Sequence, residues 1–340
     1  PLFVKGERLM SSNRPPRIAV TGVGGGSGQG ILKALIESPI QMEIFAVDIT
    51  RLSAGLYWPG VTGTMLPRPE DDITAWKSWL LFSKIDLLIP GADRDLPSFA
   101  AVADEWRRAH ICRVAVSSPE MVALADDKGL TNNFLKDNNL PRPFTHLLDD
   151  EGAYPLIIKP RHGAASRGFH ICNDFEELKF YLLRTEHPII QEYIEGDEYT
   201  CTLFFDIDHK PVAKFALKRW LRGGDTYRAE VVNNPQLDAF LDLVGEKLTP
   251  MKPFGPINVQ LRERGGQFYI LEFNARCSGT TPVRAHFGYN EPEMLVRHIC
   301  LREDIVQPET RTGFMFRVWG EMYLEGMSEA QILGEKEITT

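Results

Sequence analysis

The spacing of apolar positions divides the chain into two regimes. Up to about residue 118, short apolar runs alternate with helical periodicities. RIAVTG (17–22), MEIFAVD (42–48), IDLLIPG (85–91) and CRVAVSS (112–118) predict buried strands, while ILKALIES, ITAWKSWLLFSKI and PSFAAVADEWRRAH predict helices. Such alternation is the pattern of a parallel sheet covered by helices. The stretch between the second strand and ITAWKSWLLFSKI reads as irregular. Residues 119–140 read as helices ending at the Pro-marked turn LPRPF (140–144). Beyond it, YPLIIKP (154–160), FHICN (169–173) and PIIQEYIEG (188–196) predict strands, and Asp174 predicts the cap of a helix over 174–186.

From there to the 270s the apolar residues alternate as in half-exposed antiparallel strands. EYTCTLFFDIDHKPVAKFALKRWL turns at DIDHK, PQLDAFLDLVGEKL (235–248) is an amphipathic helix, and PINVQLRERGGQFYILEFNAR holds two strands joined at Arg264-Gly265-Gly266. The tail adds the helix PEMLVRHICLRE and the strand FMFRVWG. No internal repeat or low-complexity segment interrupts this order. The boundaries expected are an α/β unit over 1–118, a small central unit over 119–195 and an antiparallel-sheet unit over 196–340.

Composition narrows the function classes. A chain of 340 residues suits two or three domains, and 43 % apolar with 25 % charged residues is that of a soluble globular protein. A formal net charge of −8 provides no broad basic surface for a nucleic acid backbone. The cysteines at 112, 172, 201, 277 and 300 make no CxxC and no even-numbered framework, which suits free thiols in a reducing compartment. The charged first twenty residues do not read as a signal peptide, and no apolar run of about 18 residues predicts a membrane span. The expected location is therefore the cytoplasm.

Several groups of residues carry candidate chemistry. The turn TGVGGGSGQG, with Gly25, Gly26 and Ser27 at its centre, lets a bound group approach the main chain and presents helix N-terminal amides to an anion. Asp48 follows about twenty residues on, as in a dinucleotide fold, so a nicotinamide or flavin site, a substrate anion site and a structural turn all remain open. Lys159 ends a strand that is otherwise apolar, which makes a paired role favourable, and Lys128 offers a second cation. RHGAASRG, comprising Arg161, His162, Gly163, Ala164, Ala165, Ser166, Arg167 and Gly168, fits a phosphate-enclosing loop or an exposed hairpin. QEYIEGDEYT contains Glu192, Tyr193, Ile194 and Glu198; a strand edge there could hold a planar base and a carboxylate the ribose, and the competing reading is a solvated acidic turn.

The most informative set is Gln260 with Glu272 and Asn274. Period-two alternation puts residues 272 and 274 on one face, Gln260 lies across the hairpin, and hard oxygen donors suit Mg²⁺ on nucleotide phosphates. Cross-strand polar pairing is the alternative. Arg276 continues that face toward an oxyanion. Cys277 reads as a structural thiol, because no histidine at a telling spacing supports a nucleophile. Arg222, in the polar stretch 222–228, and Arg284 are candidates for binding a substrate carboxylate through a guanidinium fork, against surface salt bridges.

The succession DDKGLT, IIKP with its Gly-rich loop, QEYIEGDEY, and NVQ…LEFNARCSG resembles the ATP-grasp enzymes, most closely the carbamoyl-phosphate-synthase large-subunit-like branch, over residues 17–300. That resemblance implies an α/β and α+β architecture: an ATP-grasp fold preceded by an N-terminal parallel-sheet (pre-ATP-grasp) domain. ATP is then expected between the central and C-terminal units, with Mg²⁺ as its metal. It implies phosphate contacts for Lys128 and Lys159, loop 161–168 over the β- and γ-phosphates, an adenine pocket at Glu192, Tyr193 and Ile194, and ribose binding by Glu198. It further implies magnesium ligation by Gln260, Glu272 and Asn274, and Arg276 on the transferred phosphoryl group, with Arg276 and Lys159 as the catalytic pair.

The function implied is a carboxylate-amine ligase acting on an amino acid or small carboxylate through an acyl phosphate. Alternatives are an ATP-grasp carboxylase or phosphotransferase, and a nucleotide-binding regulatory protein without turnover. The expected partners are small-molecule carboxylate and amine substrates, neither nucleic acid nor membrane, with a homodimer as the size-class and family expectation.

Overall fold

The computed structural model describes residues 14–146, 154–163, 168–318 and 320–334. Its first unit runs β1 (Arg17–Thr21), α1 (Gly26–Ile36), β2 (Glu43–Asp48), β3 (Val61–Met65), α2 (Ile73–Ser83), β4 (Leu87–Ile89), α3 (Leu96–Arg108) and β5 (Arg113–Val114). The strands form one parallel sheet in the order β3-β2-β1-β4-β5. The strand missed in the sequence is β3. VTGTM sits at the sheet edge, has no fully buried residue and carries Gly63 where a Cβ would lie 2.3 Å from the Leu56 carbonyl, so it lacks an apolar run. Because the chain order reverses beside β1, the loops after β1 and β4 open together at the carboxyl end of the sheet, the usual ligand end of such a fold.

Helices α4 (Pro119–Asp126) and α5 (Lys128–Asp137) follow, and both pack on β14 of the six-stranded sheet described below. A small sheet then forms from β6 (Thr145–His146), β7 (Leu156–Pro160), β8 (His170–Cys172) and β9 (Pro188–Glu192), ordered β6-β9-β7-β8, with α6 (Phe175–Leu182) on it. Asp174 caps α6 by accepting from the Glu177 amide at 2.9 Å. Leu156, Ile158, Cys172, Leu178 and Ile190 give this sheet a core of its own.

The remaining elements are β10 (Asp197–Phe205), β11 (Pro211–Arg222), β12 (Asp225–Val231), α7 (Pro235–Leu248), β13 (Gly255–Arg264), β14 (Gln267–Asn274), α8 (Thr281–His286), α9 (Glu291–Val296), β15 (Phe314–Phe316) and α10 (Glu329–Leu333). An antiparallel sheet ordered β14-β13-β10-β11-β12-β15 results. Gly265 and Gly266, at φ 61° and 82°, make the expected two-residue turn between β13 and β14. The polar stretch 222–228, expected as a substrate loop, is instead a second hairpin: Gly223 and Gly224 turn the chain at φ 60° and 85° and Arg222 pairs with Asp225 across it.

Two continuous apolar clusters join the parallel sheet to the six-stranded sheet. One contains Trp76, Phe99 and Trp106 together with Tyr199, Leu261 and Phe273; the other contains Ile31, Leu35 and Ile89 together with Phe204, Leu217 and Leu295. The turn above β1 also depends on backbone contact, since a Cβ on Gly28 would stand 2.2 Å from the Gly22 carbonyl, whereas one on Gly26 would meet nothing. Gly28→Ala is therefore expected to cost about 2–3 kcal/mol and Gly26→Ala less than about 0.5 kcal/mol, measured by guanidinium unfolding. Equal midpoints for the two variants would contradict this packing.

Candidate active site

In β10 and β13 the odd-numbered Tyr199, Cys201, Leu203, Ile257, Val259 and Leu261 are buried in the core. Alternation therefore turns Glu198, Thr200, Thr202, Asn258, Gln260 and Arg262 to the other face. β14 cannot follow one alternation throughout, because Phe268, Ile270 and Phe273 are all buried. A bulge resolves this: Gln260 pairs with Glu272 but Leu261 with Ile270, so Leu271 is the extra residue and Glu272 and Asn274 join the polar face. Gln260 Nε2 lies 3.4 Å from Asn274 Oδ1, and Asn274 Nδ2 lies 3.4 Å from Glu272 Oε1.

Asn258 belongs to this group although sequence reading passed over it. It lies two residues before Gln260 in INVQ, so alternation alone would have found it. Its Oδ1 accepts from Thr200 Oγ1 at 2.8 Å, while its buried Nδ2 has no hydrogen-bond partner. An unpaired buried donor on a cleft wall requires an acceptor from a ligand or water. Among the described residues no cluster of three His, Cys, Asp or Glu side chains forms, so a metal here would rest on one carboxylate and the amide oxygens. Glu272, Gln260 and Asn274 carry the hard oxygens that suit Mg²⁺, though Gln260 Oε1 accepts from Arg219 at 2.6 Å and would have to exchange that partner for the metal.

Lys159 is the penultimate residue of β7, with 9 % of its surface exposed. Burial pushes its ammonium down to about 8, nearby Glu272 opposes that shift, and Lys128 adds to it. Lys128, at the first position of α5, donates through Nζ to the Gly163 carbonyl at 2.8 Å. Three further contacts fasten the chain at 161–163 to the α4–α5 corner. The Lys128 amide meets the Arg161 carbonyl at 3.1 Å, Arg161 Nε meets Asp127 at 2.7 Å, and His162 Nδ1 meets Asp126 at 2.9 Å. Ala164, Ala165, Ser166 and Arg167 lie outside the described residues; Gly168 resumes the chain at φ 69°.

Arg276 reaches across to the first unit. Its Nη2 lies 2.5 Å from Asp93, in the loop after β4, its Nη1 donates to the Cys277 carbonyl at 2.9 Å, and its buried Nε has no partner. Cys277 is buried and burial raises its thiol pKa, as a structural role requires. On the first unit, Asp48 accepts from the amides of Gly24 at 2.7 Å and Ile49 at 2.8 Å. One oxygen thus braces the Gly-rich turn and the other accepts from the amide of the next residue, which counts against the ribose role of a dinucleotide site.

A cleft of about 1230 Å³ collects Gly25, Gly26, Ser27, Lys128, His162, Gly163, Gln260, Glu272, Asn274 and Arg276 on its walls. Glu192, Tyr193, Ile194 and Glu198 are not among the wall residues. Glu192 is paired with Arg264 at 2.6 Å, Arg262 lies over the Tyr193 ring at 5.0 Å, and the carbonyl of buried Ile194 accepts from Arg262 at 2.9 Å. Glu198 binds Arg219 through one carboxylate oxygen and Arg262 through the other, each by two N–H groups. A ribose could reach it only if one arginine gave way.

Two expectations need correction. Arg284 does meet a carboxylate with its fork, but the carboxylate is that of Glu291, and both residues are 0 % exposed. The guanidinium also holds Thr280 at 2.7 Å and Ser278 at 3.1 Å, and Thr202 donates to Glu291 at 2.5 Å, so the pair fixes the segment after Arg276. Arg222 stands exposed at the tip of the β11–β12 hairpin, away from the cleft wall.

Residues 125–280 match the family model of the ATP-grasp domain. The carbamoyl phosphate synthase large chain of Clostridium acetobutylicum is 23 % identical over 192 residues, which are 50 % of this chain and 18 % of that protein. The chain thus spans under a fifth of the length of this curated relative. N5-carboxyaminoimidazole synthetase from Staphylococcus aureus, solved with ADP, has the same fold with a TM-score of 0.70 at 14 % identity, covering 89 % of this chain and 82 % of that one. L-amino acid ligase from Bacillus licheniformis shares it with a TM-score of 0.64 at 15 % identity, covering 85 % and 75 %.

The depressed Lys159 pKa has a measurable sign. Between pH 8 and 10.5 the folded lysine is neutral while the unfolded one still binds a proton, so this group's contribution to stability rises with pH over that window. A phosphate bound beside it would restore the charge. Mg-ATP binding at pH 8.5 is therefore expected to take up protons, seen as a calorimetric enthalpy that changes with the ionisation heat of the buffer, and Lys159→Arg is expected to abolish the uptake. A buffer-independent enthalpy for the unaltered protein would contradict it.

Proposed function

We propose that this chain, a member of the ATP-grasp superfamily in the carbamoyl-phosphate-synthase large-chain branch, is an ATP-dependent ligase that joins an amino acid or small carboxylate to an amine through an acyl phosphate. The observation that carries this reading is the convergence on one cleft of the Gln260, Glu272 and Asn274 oxygens, the Lys128 cation and the Arg276 guanidinium, with Lys159 buried close to Glu272. A purely structural polar face would not need an unpaired Asn258 amide or a buried lysine of lowered pKa.

Each residue has a separate task in this reading. Gln260, Glu272 and Asn274 would hold Mg²⁺, which when bound neutralises phosphate charge. Lys128 and Lys159 add positive charge around the phosphates as negative charge moves onto the leaving ADP. Arg276 steadies the phosphoryl group in transfer once the phosphoryl oxygens compete with Asp93 for its guanidinium. The carboxylate oxygen attacks the γ-phosphorus, the bond to the bridging oxygen of ADP breaks, and the amine then displaces phosphate from the activated carbonyl. Gly25, Gly26 and Ser27, at the N-terminus of α1 across the cleft, offer backbone amides to an anionic part of the substrate. No side chain has to form a covalent bond.

The test is ADP release from Mg-ATP with pooled amino acids, small carboxylates and amines, with product masses read from the same tubes. ADP that rises only with an acid and an amine together, and a product weighing that pair less water, is the expected outcome. ADP that rises with bicarbonate and an amine would replace ligation by carboxylation. Folded protein that binds Mg-ATP yet releases no substrate-dependent ADP would contradict the ligase reading.

A further inference from the structure

We infer that Arg317 is a specificity-determining residue that binds an oxyanion, a carboxylate or a phosphate monoester, on the amine acceptor; the inference rests on the ligase reading above. β15 pairs with β12 over Phe314–Phe316, and the Arg317 amide extends the ladder by donating to the Tyr227 carbonyl at 2.8 Å. Alternation sorts this short strand. Phe314 and Phe316 are exposed, with Phe314 against Trp220 at 5.6 Å, while Met315 packs toward the core beneath. Arg317 shares the side of Met315 and lines the cleft.

Two carbonyls aim its guanidinium. Nε donates to Thr226 at 2.7 Å and Nη2 to Gly279 at 3.1 Å, and no carboxylate among the described residues pairs with it. Three other arginines of the cleft wall are answered by acids: Arg94 by Glu70 at 2.5 Å, Arg219 by Glu198 and Arg276 by Asp93, whereas Arg68 forms no ion pair among the described residues. Carbonyl contacts orient a guanidinium without cancelling its charge, so Arg317 keeps a full positive charge and spare N–H groups in the cleft.

Its place in the cleft separates it from Lys128 and sets it beside the segment that follows Arg276. Gly279 lies three residues beyond Arg276, and a Cβ there would meet only open space. The same segment touches the first unit, where a Cβ on Gly30 of α1 would be 3.0 Å from Pro282 and 3.3 Å from the Ser278 carbonyl. Arg317 therefore belongs to the end of the cleft bounded by α1, whereas Lys128 and His162 belong to the end bounded by the α4–α5 corner. Because Lys128, Lys159, Arg276 and the Mg²⁺ oxygens already serve the phosphates in the ligase reading, the anion at Arg317 is assigned to the acceptor.

The experiment pairs arginine modification with kinetics on the full chain carrying Mg-ADP or Mg-ATP. Phenylglyoxal labelling, mapped by mass spectrometry, is run with L-amino acids, with their amides, with phosphoethanolamine and with ethanolamine. Protection of Arg317 by amino acids but not amides assigns a carboxylate, and protection by phosphoethanolamine but not ethanolamine assigns a phosphate. Arg317→Met is expected to raise KM for the protecting acceptor roughly 10- to 100-fold while leaving KM for Mg-ATP unchanged, with partial recovery in Arg317→Lys. Equal labelling under all four conditions, or equal changes in both KM values, overturns the inference. Protection of Arg317 without acceptor-dependent ADP release overturns the ligase reading and leaves the anion site standing.

Discussion

The bulge at Leu271 is the constraint from which the polar wall of the cleft follows, because a strand has only two faces and β14 must serve both. Phe268 and Ile270 are needed in the core beside Tyr199 and Leu261, and two residues further on strict alternation would drive Glu272 into that core. One inserted residue reverses the parity, buries Phe273 instead and delivers Glu272 and Asn274 to the face already carrying Gln260 and Asn258. Bulges beside sites re-aim side chains in this way; here it changes which chemistry the sheet presents.

Two chain segments remote in sequence are then brought to that wall, each by a polar contact, and a buried ion pair supports it from behind. Lys159 comes from the small sheet, where burial disfavours its charge and Glu272 partly restores it. Asp93 comes from the parallel sheet and binds Arg276, with the two apolar clusters holding the sheets together. The Arg284–Glu291 pair lies fully buried behind them. Such a pair contributes little net stability against an apolar replacement, but breaking one side typically costs about 3–5 kcal/mol. Its four hydroxyl contacts, to Thr202, Ser278, Thr280 and Thr281, make it a rigid support for the segment that carries Arg276 and Gly279.

Much of this was legible in the chain. The apolar runs before residue 118 mark β1, β2 and β4, Asp174 marks the start of α6, and Gly265-Gly266 marks the β13–β14 turn, because each depends on local chemistry. The same Arg-Gly-Gly signal at 222–224 also makes a hairpin, yet its polar flanks suggested a substrate loop. Glu272 and Asn274 share a face as their spacing indicates, but nothing local reveals the bulge that selects the face. Partners set by tertiary structure were not readable: Glu291 meets Arg284 across a turn between two short helices, Asp93 is 183 residues from Arg276, and Arg317 reaches the cleft only because β15 pairs with β12.

The central claim is that this wall activates a carboxylate by phosphorylating it, and isotope transfer tests it most directly. A carboxylate substrate labelled with oxygen-18 is turned over with Mg-ATP and an amine, and the inorganic phosphate is examined by mass spectrometry. Attack of the carboxylate on the γ-phosphorus is expected to leave one labelled oxygen in each phosphate released. Phosphate formed at the same rate without label, with the label retained in the acid or its product, would contradict an acyl phosphate and the role assigned to Glu272, Asn274 and Arg276.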